Sequence, residues 1–350
     1  TCRYRLKVEC KFDKNDLTPL IKRLQTIYYQ SRIKEINQRI ASVDKALAHY
    51  DAEDLTNALT ELSMSLFKAS LCNREAKYGR CSFSDVKDMH LRGDRMVQQY
   101  PVVLSTTFSA RTCVFTEKPY DYIIMDEASQ VSIDTGALAL TCATNAVIVG
   151  DTLQLPNVVT NEDRAKLDAI MKQYHISKGY DCANNSFLQS VLSVVESVPE
   201  TLLREHYRCH PRIINFCNQK FYGGNLLIMT EDNNEENVLV AIRTVKGNHA
   251  VNHYNQREID VVKEEVLPTL KDFDSIGLVT PYNNQVEAFN SQLGATVAGT
   301  IHKYQGREND AIIMSLVDNQ ITEFADDANM LNVAVSRAKN KFCLVMTGNE

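Results

Sequence analysis

The chain has 350 residues, a formal net charge of −6 at pH 7 and a hydrophobic content of 44%. This length suggests about two or three domains, and the apolar content is enough for sizeable cores, which excludes wholesale disorder. The net charge excludes a protein that is basic all over, so any nucleic-acid surface must be a local groove of Lys and Arg. The ten cysteines include no Cys-x-x-Cys pair, a usage that favours free thiols in a reducing cytoplasm over a disulfide framework. No apolar run approaches the roughly 20 residues of a membrane span, and no signal peptide is visible, so we expect no membrane association.

Residues 1–99 are predicted to be mainly helical after a short strand-like start. Apolar residues recur at a spacing of 3-4-3-4-3 from Ile33 to Tyr50, which is the pattern of a helix seam. A leucine stripe from Leu55 to Leu66 continues with helical spacing after an acidic turn. Two helices paired as an antiparallel arm would bury both stripes, and an amphipathic hairpin packed on a domain fits the pattern equally well.

Short apolar runs begin at residue 100 and suit strands that are buried on both faces of a parallel sheet. The first set lies at residues 101–105, 122–125 and 146–149, and the second at residues 238–242, 276–279, 311–315 and 342–346. Helical stretches alternate with these runs, for example at residues 258–267 and 284–293. The pattern predicts two α/β units in tandem, with a boundary near residues 195–203 and an exposed loop at residues 230–237.

Two of these strand ends carry residues that suit nucleotide hydrolysis, because functional groups collect at the carboxyl ends of the strands in an open parallel sheet. Asp126 would hold Mg²⁺ through its water shell, and Glu127 would orient and deprotonate the attacking water. After the next strand, Gly150 permits a sharp turn, and Gln154 can sense a terminal phosphate or position water with its neutral amide. An Asp-Glu pair alone is a weak signal, since two solvated acids at a strand end are common.

The two strand ends together are far more specific. Residues 126–130 read Asp-Glu-Ala-Ser-Gln and residues 149–156 read Val-Gly-Asp-Thr-Leu-Gln-Leu-Pro, which resembles motifs II and III of superfamily 1B helicases. The remaining motifs of that group follow in order at residues 205–211, 277–285, 300–308 and 331–339, so the resemblance covers residues 100–350. It implies an α/β fold of two tandem RecA-like P-loop NTPase domains. Residues 1–99 would be a helical insertion of the first domain, residues 100–198 the rest of that incomplete domain, and residues 199–350 the second domain.

The resemblance also assigns roles to residues. Arg208 and Arg337 would reach across the cleft to ATP, where a planar guanidinium can bridge two γ-phosphoryl oxygens as negative charge develops on them. Asp126 would be the residue that holds the metal, and the other residues expected at the nucleotide are Gly150, Asp151, Tyr207, Gly306 and Glu308. The expected cofactors are ATP and Mg²⁺, and the expected partner is single-stranded DNA or RNA, travelled 5′→3′. The residues expected to contact the strand are Thr106, Thr280, Pro281, Tyr282, Thr300 and His302.

One element of the family is missing from the sequence. The loop Gly-x-x-x-x-Gly-Lys-[Ser/Thr] holds the β- and γ-phosphates, and none of the 13 glycines here is followed by lysine. We expect that loop to lie N-terminal to the start of this chain, so that the parent protein is a helicase while this fragment hydrolyses ATP poorly or not at all. One alternative is a non-catalytic nucleic-acid-binding or scaffold protein that lost the loop in evolution. Another is a nuclease-fused motor whose nuclease lies outside this chain.

A cluster of His and Cys raises the question of a zinc site. His206, Cys209, His210 and Cys217 lie close together in the sequence. Their spacing matches no standard zinc site, and their place in a helicase motif explains them better.

Overall fold

The computed structural model describes residues 17–113, 118–294 and 297–349. They form two compact units, one with residues 17–84 and 95–102 and the other with residues 85–94 and 103–349. The strand-like start predicted for the first residues lies outside the described part of the chain.

The smaller unit contains two long helices, α1 (Leu17–Leu47) and α2 (Ala52–Tyr78). The acidic turn caps α2, since the side chain of Asp51 accepts the backbone N–H of Glu53 at 3.1 Å and of Asp54 at 3.0 Å. The predicted helices are therefore confirmed. The expected burial of the two stripes is wrong, because their apolar side chains are 44% to 73% exposed. Helical periodicity fixes which face of a helix is apolar, but it does not specify what covers that face.

We call residues 103–198 of the larger unit the first lobe. Its parallel strands β1 (Tyr120–Met125) and β2 (Ala143–Ile148) carry a small core that includes Phe187. Two short helices lie before the strands, α3 (Val86–Leu91) and α4 (Gly93–Gln99), and three are in the lobe itself, α5 (Ile133–Leu140), α6 (Asn161–Gln173) and α7 (Phe187–Val194).

Two predictions for the first lobe are wrong. The apolar run at residues 101–105 forms no strand, and Val102 and Leu104 are 76% and 92% exposed. Among the described residues no neighbouring strand offers this run a ladder of hydrogen bonds. The strands β1 and β2 are also exposed over most of their length, so the sheet is not buried on both faces.

We call residues 199–349 the second lobe. It contains a five-stranded parallel sheet whose members are β5 (Leu239–Arg243), β8 (Ile276–Thr280), β9 (Val297–Thr300), β10 (Asn309–Ser315) and β11 (Ala338–Met346). Their order in the sheet is β5-β11-β10-β8-β9. The two central strands β8 and β10 are buried almost throughout. This confirms the predicted α/β fold with parallel strands.

Short pairs of strands and five helices complete the second lobe. The pairs are β3 (Glu205–His206) with β4 (Leu227–Ile228) and β6 (Ala250–Val251) with β7 (Tyr254–Asn255). The helices are α8 (Pro211–Lys220), α9 (Gln256–Val261), α10 (Asn283–Leu293), α11 (Ile301–Tyr304) and α12 (Ala328–Ser336). The helix predicted for residues 258–267 begins as α9 and continues as a π turn (Val262–Val266) and a 3₁₀ turn (Leu267–Leu270). Residues 231–237 form an exposed loop, as predicted.

A buried polar network lies at the carboxyl edge of the five-stranded sheet. Glu258 is fully buried, and its carboxylate accepts hydrogen bonds from Ser315 Oγ at 2.6 Å, Val317 N at 3.0 Å and Asn255 Nδ2 at 3.2 Å. Val317 has a φ of 74°, a left-handed conformation that a β-branched residue adopts only when its surroundings enforce it. The network therefore holds a strained backbone where β10 ends.

Two findings concern the predicted environment. None of the described helices combines the length and the apolarity needed to cross a membrane. Each cysteine in the described ranges is a thiol and takes part in no disulfide.

Candidate active site

The Asp-Glu pair and the Gly150 loop meet at one edge of the β1–β2 sheet. The strands run parallel in a register that pairs Met125 with Ile148, so the residues after both strands leave the sheet side by side. Asp126 Oδ1 accepts the N–H of Glu127 at 2.8 Å, and Glu127 has a φ of 52°. Asp126 is exposed and Glu127 is half-buried, and the Glu127 carboxylate accepts Gln130 Nε2 at 3.2 Å.

Gly150 is required by space rather than by its backbone angles. The Ala128 N–H donates to Val149 O at 2.9 Å, which draws the two loops together. A Cβ on Gly150 would lie 3.1 Å from the backbone nitrogens of both Ala128 and Ser129, closer than side-chain carbons normally approach. The close packing of the two motifs therefore depends on glycine at this position.

Asp151 organises its own loop and also reaches the second lobe. One oxygen accepts the Leu153 N–H at 2.9 Å, and the other accepts Gln154 Nε2 at 3.2 Å and the Tyr222 hydroxyl at 2.6 Å. Leu155 is buried in the hydrophobic core of the second lobe. Gln154 Oε1 is buried and has no partner among the described residues. Asp151 was expected at the nucleotide, but here both of its oxygens bind protein groups.

Arg208 lies in an ion-pair cluster with Glu308 and Lys339. Its Nε is 2.7 Å from one Glu308 oxygen, and Lys339 Nζ is 2.9 Å from the other. The hydrogen bond from Lys339 is the main cause of the lowered pKa of Glu308, and the charge of Arg208 adds to it. The terminal nitrogens of Arg208 have no partner in the described ranges. Tyr207 is 66% exposed and donates its hydroxyl to Glu205.

Arg337 is the most deeply buried charged group of the candidate site, with 4% of its surface exposed. Its Nη2 donates to Ser336 Oγ at 3.4 Å, while its Nε has no partner in the part of the chain that is described. Burial lowers its pKa, as does the positive charge of Arg208, whereas the negative charge of Glu127 opposes the shift. The charges of Glu127 in the first lobe and of Arg208 in the second therefore both act on the buried guanidinium of Arg337.

This set of groups suits a magnesium nucleotide. A buried guanidinium nitrogen without an acceptor costs free energy, and so does the unpartnered Gln154 Oε1. Both costs are removed by a ligand that brings acceptors and donors into the cleft. The carboxyl groups of Asp126 and Glu127 offer the oxygen ligands that Mg²⁺ prefers, directly or through water.

The residues predicted to contact a strand at the end of β8 are not free in this conformation. Thr280 and Pro281 are buried. Tyr282 donates its hydroxyl to Asp318 at 2.6 Å, and its ring stacks on His253 with the ring centroids 4.2 Å apart. Strand binding here requires that these side chains, or the loop that carries Asp318, move.

Thr300 lies beside Thr280, because the two residues are register partners at the ends of β9 and β8. Thr300 is 8% exposed at the end of β9, and His302 is half-buried with a pKa lowered by burial. Gly306 has a φ of 79°, and a Cβ added there would meet no atom within 4 Å, so glycine serves the backbone turn at this position. Thr106 is exposed, and its hydroxyl accepts the Ser109 N–H at 3.2 Å. The role of all six strand residues remains a prediction.

His210 caps α8 and does not suit a metal. Its Nε2 lies 3.2 Å from Glu235 and 3.5 Å from Asp232, a grouping that could hold an ion on distance alone. However, its Nδ1 accepts the Arg212 N–H at 3.1 Å, which places the ring proton on Nε2. A metal on Nε2 would move that proton to Nδ1 and break the cap. Arg212 also pairs with Asp232 at 2.8 Å.

The neighbouring cysteines are ordinary buried thiols. Burial raises the pKa of Cys209 to about 11 and that of Cys217 to about 12. Without a metal, both therefore remain protonated at neutral pH.

Sequence reasoning missed two residues of the cleft. Asn332 Nδ2 donates to Leu153 O at 2.9 Å and to the Tyr222 hydroxyl at 2.8 Å. Asn332 lies inside the motif at residues 331–339, which could have drawn attention to it. Tyr222 follows α8 outside every motif, so the sequence alone carries no signal for it.

Comparisons with known proteins identify related helicases. Two family models, each described as an AAA domain, match residues 4–162 and 183–349 and together cover nearly the whole chain. A DNA replication ATP-dependent helicase/nuclease of Arabidopsis thaliana is 25% identical over 309 residues, 77% of this chain and 21% of that protein. An uncharacterized ATP-dependent helicase of Methanocaldococcus jannaschii is 24% identical over 287 residues, 73% of this chain and 40% of that protein.

The chain thus spans between about a fifth and two fifths of the length of these relatives. Among solved structures, the PRRSV helicase matches with a TM-score of 0.36 and 16% identity, over 66% of this chain and 35% of that chain. The helicase motifs occur in order on a chain that both family models match and whose relatives are helicases. The chain belongs to the superfamily 1 P-loop helicases.

Proposed function

We propose that the chain is most of the motor core of an ATP-dependent helicase or translocase of the 1B type, which moves 5′→3′ along a single strand. The observation that carries this proposal is Arg337, which is buried, has an unpartnered Nε and lies in the field of Glu127 from the other lobe. Acids from one lobe and guanidinium groups from the other are what ATP hydrolysis between two lobes requires.

Each residue of the cleft has a distinct role in this proposal. Asp126 holds Mg²⁺ through its water shell, and Glu127 orients the attacking water and accepts its proton. Gln154 positions water beside the γ-phosphate, because its unpartnered Oε1 can accept a hydrogen bond from that water while its Nε2 donates to Asp151. Arg208 and Arg337 bind the γ-phosphoryl oxygens when the lobes close, and loss of such an arginine typically costs about 10³–10⁵ in turnover. Mg²⁺, when bound, neutralises charge on the β- and γ-phosphates.

The track of the motor is single-stranded nucleic acid, gripped mainly through its phosphates. The relatives from Arabidopsis thaliana and Schizosaccharomyces pombe are both named DNA replication ATP-dependent helicase/nuclease, which favours DNA over RNA. A direct comparison of binding to DNA and RNA oligonucleotides of equal length tests this preference. Equal affinity, or tighter RNA binding, would contradict it.

The missing Gly-Lys loop limits what this chain does alone. None of its glycines is followed by lysine, so we propose that the chain by itself hydrolyses ATP slowly or not at all. The absence also favours the second candidate function, a non-catalytic nucleic-acid-binding or scaffold protein.

Steady-state ATPase measurements distinguish the two functions. The assay compares this chain with the product of its whole coding sequence, with and without single-stranded oligonucleotide. We expect strand-stimulated turnover of the whole product, loss of that turnover in Glu127→Gln, and unchanged turnover in the exposed control Glu196→Gln. If the product of the whole coding sequence shows no strand-stimulated turnover, the non-catalytic function is established instead. Robust turnover of this chain, abolished by Glu127→Gln, would contradict the proposal that the chain by itself hydrolyses ATP slowly or not at all.

A further inference from the structure

Three side chains join the two lobes beside the candidate nucleotide site. The Tyr222 hydroxyl donates to Asp151 Oδ2 at 2.6 Å and accepts Asn332 Nδ2 at 2.8 Å, and Asn332 Nδ2 also donates to Leu153 O at 2.9 Å. We call Asp151, Tyr222 and Asn332 the cross-lobe latch. Asp151 belongs to the first lobe, and the other two belong to the second.

Tyr222 is held in place by a rigid turn. It directly precedes Gly223 and Gly224, which have φ values of 59° and 77°, a conformation that glycine adopts without strain. Asn218 of α8 fastens the far side of the turn, since its side chain accepts the Leu226 N–H at 2.9 Å and donates to Leu226 O at 3.2 Å. The hydroxyl is therefore presented to the first lobe from a fixed position.

Asn332 is held through its amide nitrogen, while its Oδ1 has no partner among the described residues. It is fully buried on α12, five residues before Arg337, which directly follows that helix. Its amide nitrogen bonds both to the Tyr222 hydroxyl and to the backbone of the Gln154 loop. The loop that carries Gln154 is thus tied to the helix that leads to Arg337.

The attachment combines polar and apolar contacts. The bond from Tyr222 to the Asp151 carboxylate is charge-assisted, which makes it stronger than a bond between neutral groups. Burial, together with the bond to Asp151, raises the pKa of Tyr222, so the phenol stays protonated and remains a donor. Next to these bonds, Leu155 packs into the hydrophobic core of the second lobe.

We propose that Tyr222 and Asn332 are positioning residues that fix Gln154 in register with Arg337, so that both groups approach the γ-phosphate as one assembly. This inference rests on the proposed ATP-hydrolysing function. Neither residue contacts the nucleotide in this account, because each acts through Asp151 and the backbone of Leu153. The two lobes are then coupled at the phosphate even before a strand binds.

Hydrogen–deuterium exchange of the nucleotide-free chain tests the latch. Tyr222→Phe removes one hydroxyl and keeps the ring, and Tyr174→Phe, at an exposed tyrosine of the first lobe, is the matched control. In Tyr222→Phe we expect exchange across residues 150–156 to quicken about ten- to a hundredfold, the range for loss of a bond to a charged group. Asn332→Ala should quicken the same segment, and the double variant should exchange no faster than the faster single variant.

Two exchange results would overturn the proposal. One is exchange in Tyr222→Phe within twofold of the wild type and of Tyr174→Phe. The other is acceleration spread evenly over the whole larger unit with a lower melting temperature, which would mean a merely structural role.

Activity provides the second measurement. In the form of the protein that hydrolyses ATP, Tyr222→Phe should lower kcat about tenfold or more, with the KM for ATP within about twofold, because the latch positions groups and does not bind nucleotide. A raised KM with an unchanged kcat would contradict the positioning role. Absence of turnover in every form would overturn the proposed function, while the exchange experiment would still decide whether the latch joins the lobes.

Discussion

Replacing Glu258 with alanine should destabilise the second lobe severely. The carboxylate is fully buried and accepts hydrogen bonds from Ser315, Val317 and Asn255. Without the carboxylate, Ser315 Oγ and Val317 N lose their acceptor, whereas Asn255 Nδ2 keeps Val317 O and Thr347 Oγ1. Each buried donor left without an acceptor costs about 1–3 kcal/mol, so the two together cost about 2–6 kcal/mol. That is a large share of the roughly 5–15 kcal/mol that holds a typical domain together. The strained φ of Val317 would relax at the same time.

Urea unfolding followed by far-UV circular dichroism measures this loss. Glu258→Gln keeps the shape and one acceptor oxygen, so it should cost less than half as much as Glu258→Ala. Glu264→Ala, an exposed acid on the same stretch of helix, is the control and should stay within about 0.5 kcal/mol of the wild type. If Glu258→Ala unfolds within about 1 kcal/mol of the wild type, the network is not what holds this edge of the sheet.

Other expected outcomes follow from single contacts and pKa shifts. Gly150→Ala should cost about 1–3 kcal/mol by overpacking against Ala128, and an unchanged melting temperature would contradict the close packing. His206 has a pKa lowered to about 4 by burial, so the unfolded chain takes up its proton first and stability should fall as pH drops from about 6.5 to 4. His206→Gln should weaken that fall. Identical pH profiles of the wild type and His206→Gln in urea unfolding would refute this prediction. Cys209 should resist iodoacetamide at pH 8 in the folded protein, while exposed Cys72 reacts. Equal labelling of the two cysteines, measured by mass spectrometry, would contradict this prediction. Single-strand affinity should fall steeply with added salt, and a flat titration would exclude the phosphate groove.

The second lobe shows what sequence can predict. The strands β8 and β10 are continuous apolar runs because both of their faces are buried, and this pattern is local. The run at residues 101–105 has the same composition, yet it forms no strand and is exposed. A strand needs a neighbour, and the neighbour is set by contacts distant in sequence.

The candidate site divides in the same way. Asp126, Glu127 and Gly150 could be found from sequence motifs. Each of them is positioned by a single strand end and the turn that follows it. Glu258 was not, since an acid in a helical stretch normally lies at the surface, and its three partners come from other elements. Tyr222 depends on the approach of a loop 71 residues away in the chain, which no periodicity encodes.

The central claim is that Asp126 and Glu127 of one lobe and Arg208 and Arg337 of the other converge on one triphosphate. The most direct measurement is a structure determined with Mg²⁺ and a non-hydrolysable ATP analogue. We expect density for the metal beside Asp126 and for the γ-phosphate between Glu127 and the two guanidinium groups. An analogue bound to one lobe only, with Arg337 still buried and unpartnered, would contradict the account.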